Sequence, residues 1–444
     1  MTSPPAAPAS PSAAGLASPL PAALADARAR SLALVDDLDD AQWLGPRLAI
    51  VNPILWEMGH LGWFQEYWTL RHARGAPPLV AQGDALYDSA KVAHDTRWDL
   101  PLLPRAEVLS YLATVLERAL AGEPGYFHEL ALNHEDMHGE ALLYTRQTLA
   151  YPAPALEDAP AAGGAELAGA DEARSPVTPI VSGGGPLPGD VEVPGCRFLL
   201  GAPPEARFVF DNEKWAHPVA VAAFRIARAP VTNEQFLEFV EEGGYRAERW
   251  WSREGWRWRA VEKAEHPVYW SRRDGGRWTE RQFRTEAPLL PHRPAIHVCW
   301  YEADAYCRWA GRRLPTEAEW ELAAATPSKR RFPWGDAPPD ARHANLDAEA
   351  GWTVDVSAHA AGDSAYGCRQ LIGNVWEWTA SDFRAYPGFV IDPYKEYSAP
   401  WFSSPHKVLR GGCWATRARL LRNTWRNFYP PDRRDVLAGF RTCA

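Results

Sequence analysis

The chain has 444 residues, enough for two or three domains with cores of their own. Its 47 basic and 56 acidic residues give a net charge of −9, which argues against a nucleic-acid-binding surface. No apolar run approaches the roughly 20 residues that cross a bilayer, so no membrane span is predicted. Six cysteines lack the spacing of a disulfide framework, and we therefore expect a reduced, cytoplasmic protein.

Composition divides the chain into four segments. Residues 1–20 carry no charged side chain and are rich in Ser, Pro and Ala, which indicates a disordered tail rather than a secretory signal. Residues 21–151 have helical spacing, and residues 152–192 form an Ala-, Gly- and Pro-rich linker. Residues 193–444 contain short apolar runs broken by Gly, Pro and Trp, a pattern typical of a loop-rich fold with aromatic anchors.

Apolar periodicity predicts four helices in the first domain, joined in part by a long ordered loop over residues 75–104. The predicted helices cover residues 21–43, 52–72, 105–121 and 125–150. Asn52-Pro53 is interpreted as a cap followed by proline at the first helical position. Four such helices form a bundle, whose interior is a usual place for a metal ion. In the second domain we expect helices over residues 231–240, 300–309 and 316–325, the last opened by a capping box.

A histidine motif lies in the helix over residues 125–150. The run Leu132–Tyr144, LNHEDMHGEALLY, puts His134 and His138 four residues apart, on one face of the helix. His60 lies in the middle of the second helix among apolar residues. Burying an imidazole without a partner is costly, so we predict that these three share one metal ion. Three neutral imidazoles leave positions open for substrate and dioxygen, as non-haem iron(II) chemistry requires, but zinc accepts the same ligands. Three further histidines are interpreted as surface residues, because each lies nearer a helix end or a loop: His72, His94 and His128.

These histidines and a set of second-domain motifs resemble the ergothioneine-type sulfoxide synthases. Those are iron(II) enzymes that join sulfur to the imidazole C2 of hercynine, using dioxygen. The motifs are Val231-Thr232-Asn233, the run 309–317 (WAGRRLPTE), the run 373–378 (GNVWEW), Arg410-Gly411-Gly412 and Gly439-Phe440-Arg441. The resemblance implies a mixed α and α/β fold: a DinB-like four-helix bundle, then a loop-rich C-type-lectin-like domain related to formylglycine-generating enzymes.

The resemblance also assigns roles to residues. It implies that His60, His134 and His138 bind iron(II), and that Glu140 orients a histidine or the helix. One of the tyrosines Tyr394 and Tyr397 is expected to supply a proton. Substrate contacts are expected from Trp56, Met137, Asn427, Phe428 and Tyr429, with the Trp56 ring holding a trimethylammonium group by cation–π attraction. A structural Ca²⁺ in the second domain is a further expectation.

The chain departs from that family where the thiol substrate would bind. Phe428 and Tyr429 stand where Trp-Asp is usual, and the loop over residues 88–98 lacks the expected arginine pair. The carboxylates of γ-glutamylcysteine would therefore stay unpaired, at a cost of a few kcal/mol. This predicts a different donor, as in selenoneine synthases, which couple hercynine with a selenosugar. A sulfoxide synthase that uses γ-glutamylcysteine or cysteine is the alternative.

Functions of other classes stay open as hypotheses. A non-catalytic binding module fits the two domains, but it needs neither the histidine triad nor the tyrosine pair. A zinc hydrolase or thiol transferase is a third hypothesis, and it would show activity without oxygen. Formylglycine generation is not expected, because it needs two cysteines after the Arg-Gly-Gly motif. This chain has Thr416 and Leu421 there, and Cys413 is interpreted as a packed small residue.

Overall fold

The computed structural model describes residues 20–156 and 185–444. Residues 1–19 of the predicted tail and residues 157–184 of the predicted linker lie outside the described residues. Within the described ranges, no helix is long and apolar enough to cross a membrane. All six cysteines are free, in keeping with their irregular spacing.

The first domain is helical. Its helices are α1 Leu20–Ala33, α2 Asp40–Leu44, α3 Ile54–Glu66, α4 Gly83–Tyr87, α5 Arg105–Leu120 and α6 Tyr126–Thr148. A π-helical turn, Tyr67–His72, extends α3, and a 3₁₀ turn, His94–Thr96, lies in the long loop. The four long helices form a bundle in which α3 packs on α5 and α6, and α1 packs on the same two. Its core buries large apolar side chains, which is the main source of its stability.

Two helix boundaries differ from the predicted ones. The helix expected over residues 21–43 is divided, because Asp39 opens α2 with a capping box: its carboxylate accepts from Gln42 N at 2.8 Å, and Gln42 Oε1 accepts from Asp39 N. The second helix begins later than expected, with Pro53 rather than Asn52 at the N-cap. The Asn52 side chain instead donates a hydrogen bond to Glu57.

The second domain mixes short helices with small sheets. Its helices are α7 Asn233–Glu241, α8 Arg253–Glu262, α9 Trp300–Trp309 and α10 Glu317–Ala325. Its first strands are β1 Asp190–Val193, β2 Cys196–Leu200, β3 His217–Val221, β4 Phe224–Ala227, β5 Trp270–Arg272, β6 Trp278–Gln282 and β7 Thr285–Pro288. They are followed by β8 Trp376–Asp382, β9 Lys407–Arg410, β10 Asn427–Tyr429 and β11 Ala438–Gly439. The capping box predicted at the start of α10 is present at Thr316 and Glu319.

Four sheets are present among the described residues. The largest has the order β10-β9-β8-β11, antiparallel except for the last pair, and β1-β4, β2-β3 and β5-β6-β7 are antiparallel. Asn427 pairs with Leu409 and Glu377 with Arg410 in the largest sheet. This sheet matters for the site because Trp376, on the inner strand β8, donates a hydrogen bond to Glu140 of α6.

Helix α6 joins the two domains through buried polar contacts. Asp136 accepts two hydrogen bonds from the guanidinium of Arg419, at 2.6 and 2.8 Å. Near the end of the helix, Gln147 donates to Arg281 O at 2.8 Å. The second domain therefore fixes the position of the helix that carries His134 and His138.

Candidate metal centre

Helices α3 and α6 bring three histidines to one point on the side of the bundle that faces the second domain. His134 and His138 are one turn apart on α6, and His60 faces them from α3. The Nε2 atom of His134 lies 3.3 Å from that of His60 and 3.2 Å from that of His138. Among the described residues, no other group of three or more His, Cys, Asp or Glu side chains is gathered in this way. His72, His94 and His128 stay outside it, and the expected calcium site finds no support there.

The triad fits a shared metal ion. Two nitrogen ligands about 2.1 Å from one ion and about 100° apart lie about 3.2 Å from each other, which matches the observed separations. Burial lowers the pKa of His60 to about 3 and holds the pKa of His134 well below its ordinary value. Both imidazoles are therefore neutral, and their Nε2 lone pairs are available to a cation.

The outer ring nitrogens of two histidines are held by hydrogen bonds. His60 Nδ1 lies 2.7 Å from Tyr87 O, and a carbonyl oxygen can only accept, so Nδ1 carries the proton. His138 Nδ1 lies 2.7 Å from Glu57 Oε1, and Asn52 Nδ2 donates to Glu57 Oε2 at 2.8 Å. Such partners fix the tautomer and the ring orientation of a metal-binding histidine.

Glu57 is a functional candidate that the sequence analysis missed. Burial by itself would raise the pKa of this carboxyl, but His138 and Asn52 hold the pKa below its ordinary value. The carboxylate is therefore ionised and places a negative charge next to His138. A signal was present in the sequence, since a glutamate on the buried side of an apolar helix, one turn before His60, needs a polar partner.

Aromatic rings cover the backs of two histidines. Phe64 stacks on His134, with ring centroids 3.5 Å apart and planes 2° apart. Trp56 stacks on His60 at 4.9 Å and 9°. The rings restrict imidazole rotation and keep water from that side of the triad.

Trp56 does not have the role expected of it. Its indole N–H donates to Leu86 O at 2.7 Å, and the side chain is buried. The guanidinium carbon of Arg97 lies 3.7 Å from the ring centroid, and His60 stacks on the same ring. The Trp56 ring is thus covered by two residues of this chain. This corrects the expectation that the ring holds the ammonium group of a substrate.

Glu140 binds the second domain rather than a histidine. Its Oε1 accepts from Trp376 Nε1 at 2.7 Å and its Oε2 accepts from Thr416 Oγ1 at 2.6 Å. Of the two expected roles, orienting a histidine and orienting the helix, these contacts correspond to the second. The histidine contact belongs to Glu57.

The tyrosine pair lies against the triad from the second domain. The Tyr394 ring meets Phe64 edge-on at 4.9 Å and lies 6.2 Å from the His134 ring. The Tyr397 hydroxyl donates to the sulfur of Met137 at 3.6 Å, and its ring stacks on Phe210 at 4.2 Å. Burial raises the pKa of both tyrosines, so both hydroxyls keep their protons at neutral pH. Met137 lies between the two histidines of α6 in sequence, so Tyr397 contacts the helical turn that carries them.

The three predicted residues of β10 have different surroundings. Asn427 Oδ1 accepts from the backbone N–H of Phe428 at 2.8 Å. One face of the Phe428 ring is covered by Phe383 at 3.9 Å, which limits what it can offer to a substrate. The Tyr429 ring lies under Arg433, whose guanidinium carbon is 5.4 Å from its centroid.

Comparison with known proteins gives the family. A model of the DinB superfamily matches residues 23–122, and a model of sulfatase-modifying factor enzyme 1-like domains matches residues 181–444. Hercynine oxygenase from Mycolicibacterium smegmatis is 38% identical, over 94% of this chain and 96% of that protein. The protein of the same name from Mycobacterium tuberculosis is 39% identical, over 94% and 96%. The chain belongs to the hercynine oxygenase family.

The second domain of this hercynine oxygenase family member also has other relatives. Formylglycine-generating enzyme from Thermomonospora curvata is 32% identical, over 58% of this chain and 93% of that protein. Helix α6, with two of the three histidines, lies between the two matched ranges. The predicted family and the order of a helical DinB domain and a mixed second domain are confirmed.

Proposed function

We propose that this protein is an iron(II)- and dioxygen-dependent enzyme that joins selenium to C2 of the hercynine imidazole, with a selenosugar as donor. The observation that carries the proposal is the triad: three imidazoles, two of them buried, in which His134 Nε2 lies within 3.3 Å of both other Nε2 atoms. The family supports hercynine as the acceptor, because the similar mycobacterial proteins are named hercynine oxygenases. Iron(II), when bound, supplies the redox chemistry that lets dioxygen react with two closed-shell substrates.

The charge of the site favours an anionic donor atom. The imidazoles of His60 and His134 are neutral, so they do not offset the charge of a divalent ion. The carboxylate of Glu57 lies behind His138 and not among the three ligands. A selenolate or thiolate would supply the missing negative charge, and the surrounding low dielectric strengthens that attraction.

The protein's own contribution is positioning, exclusion of water and proton supply. Phe64 and Trp56 close the backs of two imidazoles, while the side chain of His138 keeps 20% of its surface exposed. Tyr397, protonated at neutral pH, holds a proton beside the α6 turn that carries the histidines. We propose that one of Tyr394 and Tyr397 donates this proton during dioxygen reduction.

The long loop supports a donor without carboxylates. Its one arginine, Arg97, is turned inward onto Trp56 and Asn52. Its lysine, Lys91, pairs with Asp88 at 2.8 Å. Both cations already have partners within the chain, and Tyr429 stands where a carboxylate is usual. A sugar is recognised by hydrogen bonds and aromatic stacking, which tyrosines and asparagine can supply.

A side-by-side assay of two donors tests the selenium assignment. Purified protein with saturating iron(II) and hercynine is mixed with air-saturated buffer and either a selenosugar or γ-glutamylcysteine. We expect kcat/KM for the selenosugar to be at least roughly a hundredfold higher, which corresponds to about 2.7 kcal/mol of differential transition-state binding. Equal or reversed preference would assign the protein to the carbon–sulfur branch, which the family relationship also accommodates.

Two simpler measurements separate the other classes. Metal analysis of purified protein that shows no bound metal would favour a non-catalytic binding module. Activity that persists without dioxygen would favour a zinc hydrolase or thiol transferase. Turnover that needs both iron(II) and dioxygen would exclude these two classes, and the donor assay then separates the carbon–selenium from the carbon–sulfur branch.

A further inference from the structure

Two chains of side-chain contacts lead from Arg97 to the histidine triad. Arg97 Nη1 donates to Asn52 Oδ1 at 2.6 Å and its Nη2 to Val92 O at 3.3 Å. Its guanidinium lies over the Trp56 ring, 3.7 Å from the centroid. Burial lowers the pKa of Arg97 to about 10, so the group remains a cation at neutral pH. A buried cation in this position has a structural or functional reason.

The first chain of contacts ends at His138. Asn52 accepts from Arg97 through Oδ1 and donates through Nδ2 to Glu57, which accepts from His138 Nδ1. The amide of Asn52 cannot turn over without pointing its NH₂ group at the guanidinium, which has only donors. Arg97 therefore fixes the orientation of Asn52, and Asn52 fixes the carboxylate that orients His138.

The second chain ends at His60. Trp56 stacks on the His60 imidazole at 4.9 Å, with the planes 9° apart. Its indole is held at one edge by Leu86 O and by Arg97 over the ring. The backbone carbonyl next in sequence, Tyr87 O, accepts from His60 Nδ1. The ring that sets the plane of His60 is thus held by the same guanidinium.

We propose that Arg97 is a positioning residue that orients two of the three metal-binding histidines, His60 through Trp56 and His138 through Asn52 and Glu57. The inference rests on the proposed iron site. Only a planar, forked cation can cover an indole ring and bond to Asn52 and Val92 at once, so lysine is not an equivalent. Arg97 acts through its neighbours and not by touching a substrate.

The test compares three variants of the full chain. R97M removes the cation, R97K keeps the charge and loses the fork, and R47M is the control. Arg47 also lies by an indole, with its guanidinium carbon 5.9 Å from the Trp98 centroid, and pairs with Asp99. It is half-exposed, and its neighbour Trp98 contacts His94, which lies outside the triad.

Two readouts do not depend on turnover. The first is the iron(II) dissociation constant of the metal-free protein, measured anaerobically by competition with a chromophoric chelator. The second is the visible spectrum of the cobalt(II)-substituted protein, which reports ligand geometry. Loss of partners around metal-binding histidines weakens affinity about 10–100-fold, and we expect this for R97M. R97K should fall between R97M and the wild type with an altered cobalt spectrum, and R47M should stay within about twofold.

A double-mutant cycle with N52L checks the first chain of contacts. Because R97M and N52L interrupt the same route to His138, the double variant should lose less iron affinity than the product of the two single losses. Losses that multiply would show that Asn52 and Arg97 act separately, and would overturn this route.

The outcomes are distinguishable. If R97M and R97K lower thermal stability but keep the wild-type iron affinity and cobalt spectrum, Arg97 only stabilises its loop and the inference is wrong. Where R97M does not fold, as judged by circular dichroism, R97K decides the question alone by the same criteria. If the wild-type protein itself binds neither iron(II) nor cobalt(II), the proposed function fails instead.

Discussion

Removal of the Glu140 carboxylate should weaken the attachment of α6 to the second domain. In E140A, the indole N–H of Trp376 loses its acceptor in a buried place, which costs about 1–3 kcal/mol. Thr416 loses less, because its hydroxyl can turn to Cys413 Sγ, 3.4 Å away. Loss of one buried methylene group adds about 0.8 kcal/mol. The expected destabilisation is about 2–5 kcal/mol.

Two variants sharpen this prediction. In E140Q, the amide oxygen can accept from Trp376 while its NH₂ donates to Thr416 Oγ1, so we expect a loss of about 1 kcal/mol or less. E129A removes another carboxylate of the same helix. This carboxylate also contacts the second domain, through Arg207. This pair is partly exposed, and such pairs contribute about 0–1 kcal/mol.

The assay is urea denaturation followed by circular dichroism, with iron(II) affinity measured in parallel because α6 carries two of the three histidines. We expect the urea midpoints of E140Q and E129A to stay close to that of the wild type, and the midpoint of E140A to lie well below both. An E140A midpoint no lower than that of E129A would refute the reasoning, since it would mean that the buried donors find other partners.

Three further outcomes follow from the site. H134A should abolish iron binding and turnover, because His134 Nε2 is the atom that lies within 3.3 Å of both other Nε2 atoms; retention of stoichiometric iron in an elemental analysis would contradict this. The double variant Y394F/Y397F should lower kcat by at least about a hundredfold while iron affinity stays unchanged, as expected for a lost proton donor. Wild-type turnover in that variant would remove both tyrosines from the mechanism. F64A should weaken iron(II) binding several-fold, because the ring stacked on His134 is lost; the control is F402A, in the second domain, which should leave affinity unchanged.

Local patterns were enough for helices α5 and α6 and for the placement of two histidines on one face of α6. The helix predicted over residues 125–150 is present as Tyr126–Thr148, because its periodicity and its length leave few alternatives. The spacing of His134 and His138 by itself places both imidazoles on one face. The strands of the second domain were harder to predict from the sequence, since they are two to seven residues long and several pair with segments far away in sequence.

The tertiary structure determines which residues contact the histidines. Glu140 carries the motif, yet its carboxylate bonds to Trp376 and Thr416, more than 200 residues away. Glu57 has no motif and holds His138. Sequence places a side chain on a face of a helix, but the partner that satisfies a buried polar group depends on which distant segment packs against that face.

The histidine spacing, the order of the two domains and the identity of the family were therefore determined by the sequence itself. The tertiary structure decided that His60 meets the pair on α6, that Trp56 faces Arg97 instead of a substrate, and that Glu57 rather than Glu140 orients a histidine. The physical reason is range: helical periodicity acts over a few residues, whereas burial and hydrogen-bond satisfaction are settled between segments that only the folded chain brings into contact.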